Sequence, residues 1–162
     1  MRVIGIDPGL TRLGYGIVEE QNGRLIAVAS GTVRAEGAGT PEKLVALRAQ
    51  LRALVTEHRP DAAAVERLFV NRNRRTATNV GQARGVALLA LAEAGVEIAE
   101  YGPMEVKMAL TGYGSATKEQ IGFMVTRLLR LDAAPDSADA ADALAVAICH
   151  LHSRRLKGAI SQ

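Results

Sequence analysis

The sequence is poor in cysteine and has no long apolar run: Cys149 is its one cysteine, and polar residues interrupt every hydrophobic stretch. A single cysteine excludes an internal disulfide and fits a reducing cytoplasm. A membrane helix needs roughly 18 continuous apolar residues, so the sequence predicts none. No basic and apolar leader precedes the first predicted strand. We therefore expect a cytoplasmic protein that is not exported.

Several catalytic signatures are also missing. The sequence has no Gly-x-x-x-x-Gly-Lys-Ser/Thr motif, which excludes a P-loop. Gly14 and Gly16 lie in a predicted strand that no helix follows, so they do not form a dinucleotide-binding fingerprint. No serine or cysteine nucleophile has a supporting histidine arrangement. The chemistry must therefore come from other residue types.

What the sequence does contain is the pattern of an α/β protein. Its 162 residues suffice for a hydrophobic core, and we expect one domain over residues 1–157 with a loose tail at 158–162. Apolar runs bounded by glycine and proline predict strands at 2–7, 13–19, 24–33, 61–66 and 96–101. Helices are predicted at 40–58, 76–94, 103–110, 117–131 and 136–152, with Thr40, Thr117 and Asp136 as caps. The first three strands would form an antiparallel meander, and a helical crossover would make the fourth parallel to the first.

Carboxylates end two of the strands that should be neighbours. Asp7 closes the first strand and Glu66 closes the fourth, so both should open onto one edge of the sheet. A carboxylate is costly to bury unless it is paired or binds a cation. Taken singly, Asp7 also suits a turn before Pro8, and Glu66 suits an ion pair with a nearby arginine. Their matching positions favour a shared site.

Two further acids lie on the last predicted helix. Asp139 and Asp142 are three residues apart and share one helix face. Asp139 also fits a first-turn acid favoured by the helix dipole, whereas Asp142 lies beyond that turn and precedes an apolar run. We predict that these two converge with Asp7 and Glu66 as the catalytic residues and metal ligands of a Mg²⁺ site that cuts DNA. Two such ions roughly 3.5–4 Å apart support phosphodiester hydrolysis.

A basic stretch follows Glu66. From Arg67 to Ala92 there is no acid, and the five arginines of this stretch are Arg67, Arg72, Arg74, Arg75 and Arg84. A basic stretch beside a carboxylate site indicates that a polyanion is brought to a cation. We predict that Arg72, Arg74 and Arg75 contact DNA; the alternative is a solvated arginine face.

Three other residues fit contacts with DNA. Phe69 lies among the arginines, where it either packs under the sheet or acts as a wedge that stacks on or splays bases. Lys107 and Lys118 flank the loop at 111–116. Lysines there either hold phosphates as point charges or are simply solvated.

Taken in order, these motifs resemble the RuvC-type Holliday junction resolvases over essentially the whole chain. The motifs that carry the resemblance are Ile4-Gly-Ile-Asp7-Pro-Gly9 with Gly14-Tyr-Gly16, Val65-Glu66-Arg-Leu-Phe69, Lys107, Gly114-Ser-Ala-Thr-Lys118, and Asp139-Ala-Ala-Asp142 with the apolar run to His150. The first motif alone is shared with actin-like ATPases. The ordered set is specific to the family.

The resemblance implies an RNase H-like fold, with a mixed five-stranded sheet flanked by helices. It implies a homodimer that nicks two strands of the same polarity in a four-way DNA junction and leaves ligatable ends. Mg²⁺ would be the cofactor, two ions per site, with Mn²⁺ as a substitute. Asp7, Glu66, Asp139 and Asp142 match the four acidic positions of the family, where some relatives have histidine in place of Asp139. A junction-migrating helicase complex of the RuvA and RuvB type is the implied partner.

The same matches extend to the residues expected to touch DNA. Phe69 matches an aromatic residue that acts at the junction, and Lys107 and Lys118 match basic residues around the active site. Three other functions remain open from the sequence: a junction-binding module without catalysis, an actin-like nucleotide hydrolase, and a related nuclease that acts on RNA.

Overall fold

The computed structural model describes residues 1–67 and 74–160, without the side chains of Arg74, Arg75 and Ile160. Its strands are β1 (Arg2–Asp7), β2 (Arg12–Gln21), β3 (Arg24–Arg34), β4 (Ala62–Glu66) and β5 (Glu97–Tyr101). Its helices are α1 (Thr40–His58), α2 (Arg74–Glu93), α3 (Pro103–Thr111), α4 (Lys118–Leu128) and α5 (Ala138–Ile160).

The strands form one five-stranded mixed sheet in the order β3-β2-β1-β4-β5. The first three strands are antiparallel neighbours, and β1 is parallel to β4, which is parallel to β5. The predicted meander and the parallel crossover are therefore confirmed. Because β1 and β4 are adjacent and parallel, their carboxyl ends meet at one edge of the sheet.

Alternating side chains of the strands bury both faces of the sheet. In β1, Val3 packs into the cluster formed with α3, α4 and α5, whereas Ile4 and Ile6 pack against α1 and α2 on the other face. This alternation follows from the two-residue period of a strand. Full burial of one large apolar side chain stabilises the folded state by about 1.5–3 kcal/mol relative to leaving that side chain exposed. The central strands are thus fixed from both sides.

Glycines let α5 lie directly on the sheet. A Cβ atom at Gly5 would be 2.0 Å from the carbonyl oxygen of Ala143, and one at Gly14 would be 2.1 Å from that of Asp139. At Gly16 a Cβ atom would be 2.7 Å from the backbone nitrogen of Leu144. No real side chain fits such distances, so the backbone of α5 contacts the backbones of β1 and β2.

The ends of several helices differ from the sequence prediction; α4, for example, ends at Leu128 and not at Leu131. The helix expected to end near His152 continues to Ile160, so residues 158–160 of the expected loose tail are helical. Ser137, not Asp136, caps this helix, because its hydroxyl oxygen accepts a hydrogen bond of 3.1 Å from the backbone N–H of Ala140. The cap expected at Thr40 is also wrong: Gly39 occupies the cap position of α1 and has no side-chain bond to give.

One predicted helix cap is confirmed. Thr117 caps α4, accepting a hydrogen bond of 3.2 Å from the backbone N–H of Gln120. Cys149 is buried in the core and forms no disulfide. In the described ranges, no helix has the length and apolar character needed to span a membrane.

Candidate active site

The carboxyl edge of β1 and β4 holds the first two candidate residues. Asp7 is the last residue of β1, and Glu66 is the last residue of β4. Ile6 pairs with Val65 in the register of the two strands, so Asp7 and Glu66, which follow them, end their strands side by side. The shared edge that the sequence predicted for these two acids is present.

Helix α5 brings the other two acids to this edge. Asp139 lies in its first turn, and Asp142 follows three residues later. The turn is held in two ways. Gly14, the cross-strand partner of Asp7, contacts the backbone of Asp139, and the hydroxyl groups of Thr32 and Ser137 are 2.9 Å apart in a hydrogen bond.

The pKa values indicate that the four carboxylates share one electrostatic environment. Burial first, and then the negative charges of Glu66, Asp142 and Asp139, raise the pKa of Asp7 from 3.8 to about 7, while Lys118 opposes the shift. Burial also raises the pKa of Glu66, with Asp142 as the next cause. Like charges disfavour ionisation of their neighbours. A cation at this edge would therefore be strongly favoured.

Two basic side chains already place positive charge beside these acids. The Lys118 Nζ atom is 2.9 Å from Oδ2 of Asp142, and this hydrogen bond is the main reason that the pKa of Lys118 is raised. The Arg12 Nη2 atom is 3.0 Å from Oδ2 of Asp139.

Sequence analysis did not single out Arg12. The predicted strand began at Leu13 and so left Arg12 out; in the structure Arg12 is the first residue of β2, two residues before Gly14, and the two share a face of the sheet. That is the face that α5 covers.

A cavity of about 340 Å³ opens beside this edge. Its polar lining residues are Glu66, Lys107, Lys118 and Asp142. The structure thus brings both predicted lysines to the acids. Ammonium groups beside carboxylates suit a phosphate-bearing ligand once a cation offsets the carboxylate charge.

The other predicted DNA contacts are only partly placed. Phe69 and Arg72 lie outside the described residues. Arg74 and Arg75 belong to the first turn of α2, whereas the predicted helix began only at residue 76; only their backbone is described.

Two arginines of the acid-free stretch have acidic partners from elsewhere in the chain. Arg67 pairs with Glu105 of α3 at 3.1 Å, and Arg84 pairs with Glu100 of β5. The sequence could not reveal these partners, because the acids lie far along the chain and reach the arginines only in the folded state.

The fold and the site together define the class. A mixed five-stranded sheet in this order, with carboxylates at adjacent strand ends and on the helix that crosses them, is that of an RNase H-like nuclease. The family model described as crossover junction endodeoxyribonuclease RuvC matches residues 3–150. The chain therefore belongs to the RuvC family.

Individual relatives agree over nearly the full length. The crossover junction endodeoxyribonuclease RuvC of Syntrophomonas wolfei is 48% identical over 157 residues, covering 96% of this chain and 91% of the relative. That of Chloroflexus aurantiacus is 54% identical over 155 residues, covering 94% of each chain. The structure of Thermus thermophilus RuvC in complex with Holliday junction substrate superposes with a TM-score of 0.91 at 38% identity, covering 97% of this chain and 96% of the other.

Proposed function

We propose that this protein is a Mg²⁺-dependent endonuclease that resolves Holliday junctions by paired, symmetric nicks in strands of the same polarity. One observation carries the chemistry: Asp7, Glu66, Asp139 and Asp142 meet at one edge, where burial and the charges of the other three acids raise the pKa of Asp7 to about 7. The solved Thermus thermophilus relative was bound to a Holliday junction, which supports the choice of substrate. The expected role is in recombination and DNA repair.

The residues at the edge fit hard divalent ions. Their donors are all carboxylate oxygens, the ligands that Mg²⁺ prefers and Mn²⁺ accepts. Among the residues that the structure describes, no three acidic, histidine or cysteine side chains already stand as a metal-holding group, and Lys118 and Arg12 occupy two of the acids. When bound, two ions would activate a water molecule and stabilise the leaving oxygen. We propose all four acids as their ligands.

The remaining side chains bind and orient the DNA. Lys107 and Lys118 line the cavity beside Glu66, where their ammonium groups would hold phosphates of the strand to be cut. Arg72, Arg74 and Arg75 would contact the backbone of a junction arm. We retain Phe69 as the residue that enters the junction centre, since it follows Glu66 by three positions.

Three further assignments complete the proposal. A homodimer supplies two sites that its two-fold axis relates, which matches the two-fold symmetry of a four-way junction. Leu89 of α2, which is 50% exposed, and Gly85, which faces open space, offer a helix face for the second copy. A junction-migrating helicase complex of the RuvA and RuvB type is the expected partner. The free, buried thiol of Cys149 fits a reducing cytoplasm.

The test uses a synthetic mobile four-way junction, a linear duplex and an RNA duplex, each with Mg²⁺ and with EDTA. We expect paired nicks in the junction alone, and only with Mg²⁺. Tight junction binding without cutting under any divalent ion would instead indicate a binding module. Cutting of the RNA in preference to the junction would assign the chain to a different substrate.

A further inference from the structure

The ion pair between Arg12 and Asp139 is the part of the site to which the proposed mechanism gives no role. Arg12 is the first residue of β2, and its side chain is 51% exposed at the edge where the acids meet. The matching pair on the next turn of α5 joins Lys118 to Asp142. Each acid of this helix therefore has a cation from another element of the fold.

The backbone determines that Arg12 reaches Asp139. Arg12 and Gly14 lie on the same face of β2, and Gly14 touches the backbone of Asp139. The Arg12 guanidinium group therefore lies 3.0 Å from the Asp139 carboxylate. A divalent ion on Asp139 needs the same carboxylate oxygens and repels the guanidinium charge. Arg12 and a metal ion therefore compete for the Asp139 carboxylate.

We propose that Arg12 is an exchangeable counter-ion of the active site. It holds the Asp139 carboxylate in the metal-free protein, leaves it when a divalent ion binds, and then contacts a backbone phosphate of the junction. Arginine suits both partners, because its planar fork matches carboxylate and phosphate oxygens alike. The inference rests on the proposed nuclease function and adds a residue that couples metal binding to DNA binding.

The first measurement is Mn²⁺ binding to the whole protein without DNA, followed by calorimetry or by the paramagnetic signal of free Mn²⁺. Arg12→Met should bind Mn²⁺ about 2–5-fold more tightly than the parent protein, the range expected for loss of a competing exposed ion pair. Arg12→Lys should remain near the parent value.

Arg34→Met is the matched control. Arg34 is the cross-strand neighbour of Arg12, and no ion pair of its side chain occurs within the described part of the chain. This variant removes the same charge from the same end of the sheet, and its Mn²⁺ affinity should equal that of the parent protein. An equal gain in Arg34→Met would reduce the Arg12 effect to general electrostatics and overturn the proposal.

The second measurement is the salt dependence of junction binding, with Ca²⁺ in place of Mg²⁺ to suppress cutting. Loss of one phosphate contact lowers the slope of log K against log salt by about 0.9. Arg12→Met should show this loss in Ca²⁺ but not in EDTA. Asp139→Asn should free Arg12 and steepen the slope in EDTA by a similar amount.

The outcomes separate this inference from the proposed function. If the parent protein cuts junctions but Arg12→Met leaves Mn²⁺ affinity and the salt slope unchanged, the ion pair is a surface contact and the inference alone fails. Weaker Mn²⁺ binding by Arg12→Met would mean that Arg12 orients Asp139 for the metal, which contradicts exchange. If the parent protein neither binds Mn²⁺ nor cuts, both the inference and the proposed function fail.

Discussion

At the scale of single residues, Asp7 is the carboxylate on which the charges of the site converge. Its pKa is raised by burial first and then by Glu66, Asp142 and Asp139. A group in this position is ready to exchange its proton for a metal ion near neutral pH. Two predictions follow from this position, one for catalysis and one for stability.

Asp7→Asn should abolish cleavage and leave junction binding largely intact. The substitution keeps the shape of the side chain but removes a charge that the proposed metal ions need. Since loss of a supporting partner of a metal ligand already costs about 10–100-fold, we expect at least a 100-fold fall in the single-turnover cleavage rate. Gel-based cutting and fluorescence anisotropy with the same junction measure the two properties. Cleavage near the parent rate would contradict the role of Asp7.

The same substitution should stabilise the metal-free protein at high pH. The folded pKa of Asp7, about 7, lies above its unfolded value of 3.8, so the folded state binds the proton more tightly. Ionisation therefore lowers stability progressively as the pH rises from about 4 to 7, and the full penalty remains above that range. With allowance for solvent screening, Asp7→Asn should gain about 1–3 kcal/mol at pH 8.

Thermal unfolding in EDTA at pH 4 and pH 8 measures this effect. A gain of that size corresponds to a rise in Tm of about 3–10 °C, present at pH 8 and small at pH 4. Saturating Mg²⁺ should remove the advantage, because the ion offsets the carboxylate charges in the parent protein. Equal gains at both pH values would show that the electrostatic explanation is wrong.

At the scale of elements, the contact of α5 with β1 and β2 positions half of the site. Gly5, Gly14 and Gly16 leave no side chain between the helix and the strands. Any Cβ atom there has to push the helix outward, and Asp139 and Asp142 move with it. Stability and activity should therefore fall together when one of these glycines is replaced.

Gly5→Ala should lower the free energy of unfolding by about 3 kcal/mol and strongly reduce cleavage. The cost lies at the upper end of that for overpacked cores, because the new methyl group would meet the backbone of Ala143. Gly122→Ala is the control: this glycine lies in α4 with open space around it, and alanine there should be neutral or slightly stabilising. Urea unfolding and junction cutting measure both variants; equal stability of the two would contradict the packing argument.

The elements also show what local sequence can and cannot predict. The bounds of β1 and the parallel pairing of β4 followed from short apolar runs and the length of the crossover. The cap of α5 was missed because Asp136 and Ser137 are both good caps, and the choice depends on the bond from Thr32 to Ser137. The end of α5 was missed because Ser153 and Gly158 are weak helix formers, although the residues between them favour a helix.

The same limit applies to the site. The convergence of Asp7 and Glu66 could be predicted, since neighbouring parallel strands end at one edge. The pairing of Arg12 with Asp139 could not be predicted, because it depends on where the first turn of α5 packs against β2. The roles of the four acids and of Phe69 remain predictions.

At the scale of the whole molecule, resolution of a junction requires two cuts made by one assembly. We expect a particle of about 34 kDa in solution, twice the 17.1 kDa of one chain. Sedimentation equilibrium or light scattering measures it. A mass near that of one chain at micromolar concentration would contradict the proposed homodimer.

Mixed dimers test whether the two sites act separately. Parent protein mixed with an excess of Asp7→Asn should form dimers with one active site. On a supercoiled plasmid that extrudes a cruciform, such dimers should yield nicked circles, whereas parent dimers yield linear DNA. Linear product in proportion to the parent protein alone would mean that each chain makes both cuts by itself.

The direct backbone contact of α5 with the sheet determines which substitutions the chain can tolerate during evolution. The gap between the strand acids and the helix acids is spanned by peptide groups, whose dimensions are the same in every protein. Apolar residues elsewhere in the core can then be exchanged for others of similar volume without changing that gap. The distance between the strand acids and the helix acids therefore stays constant, while the surrounding core residues can be substituted.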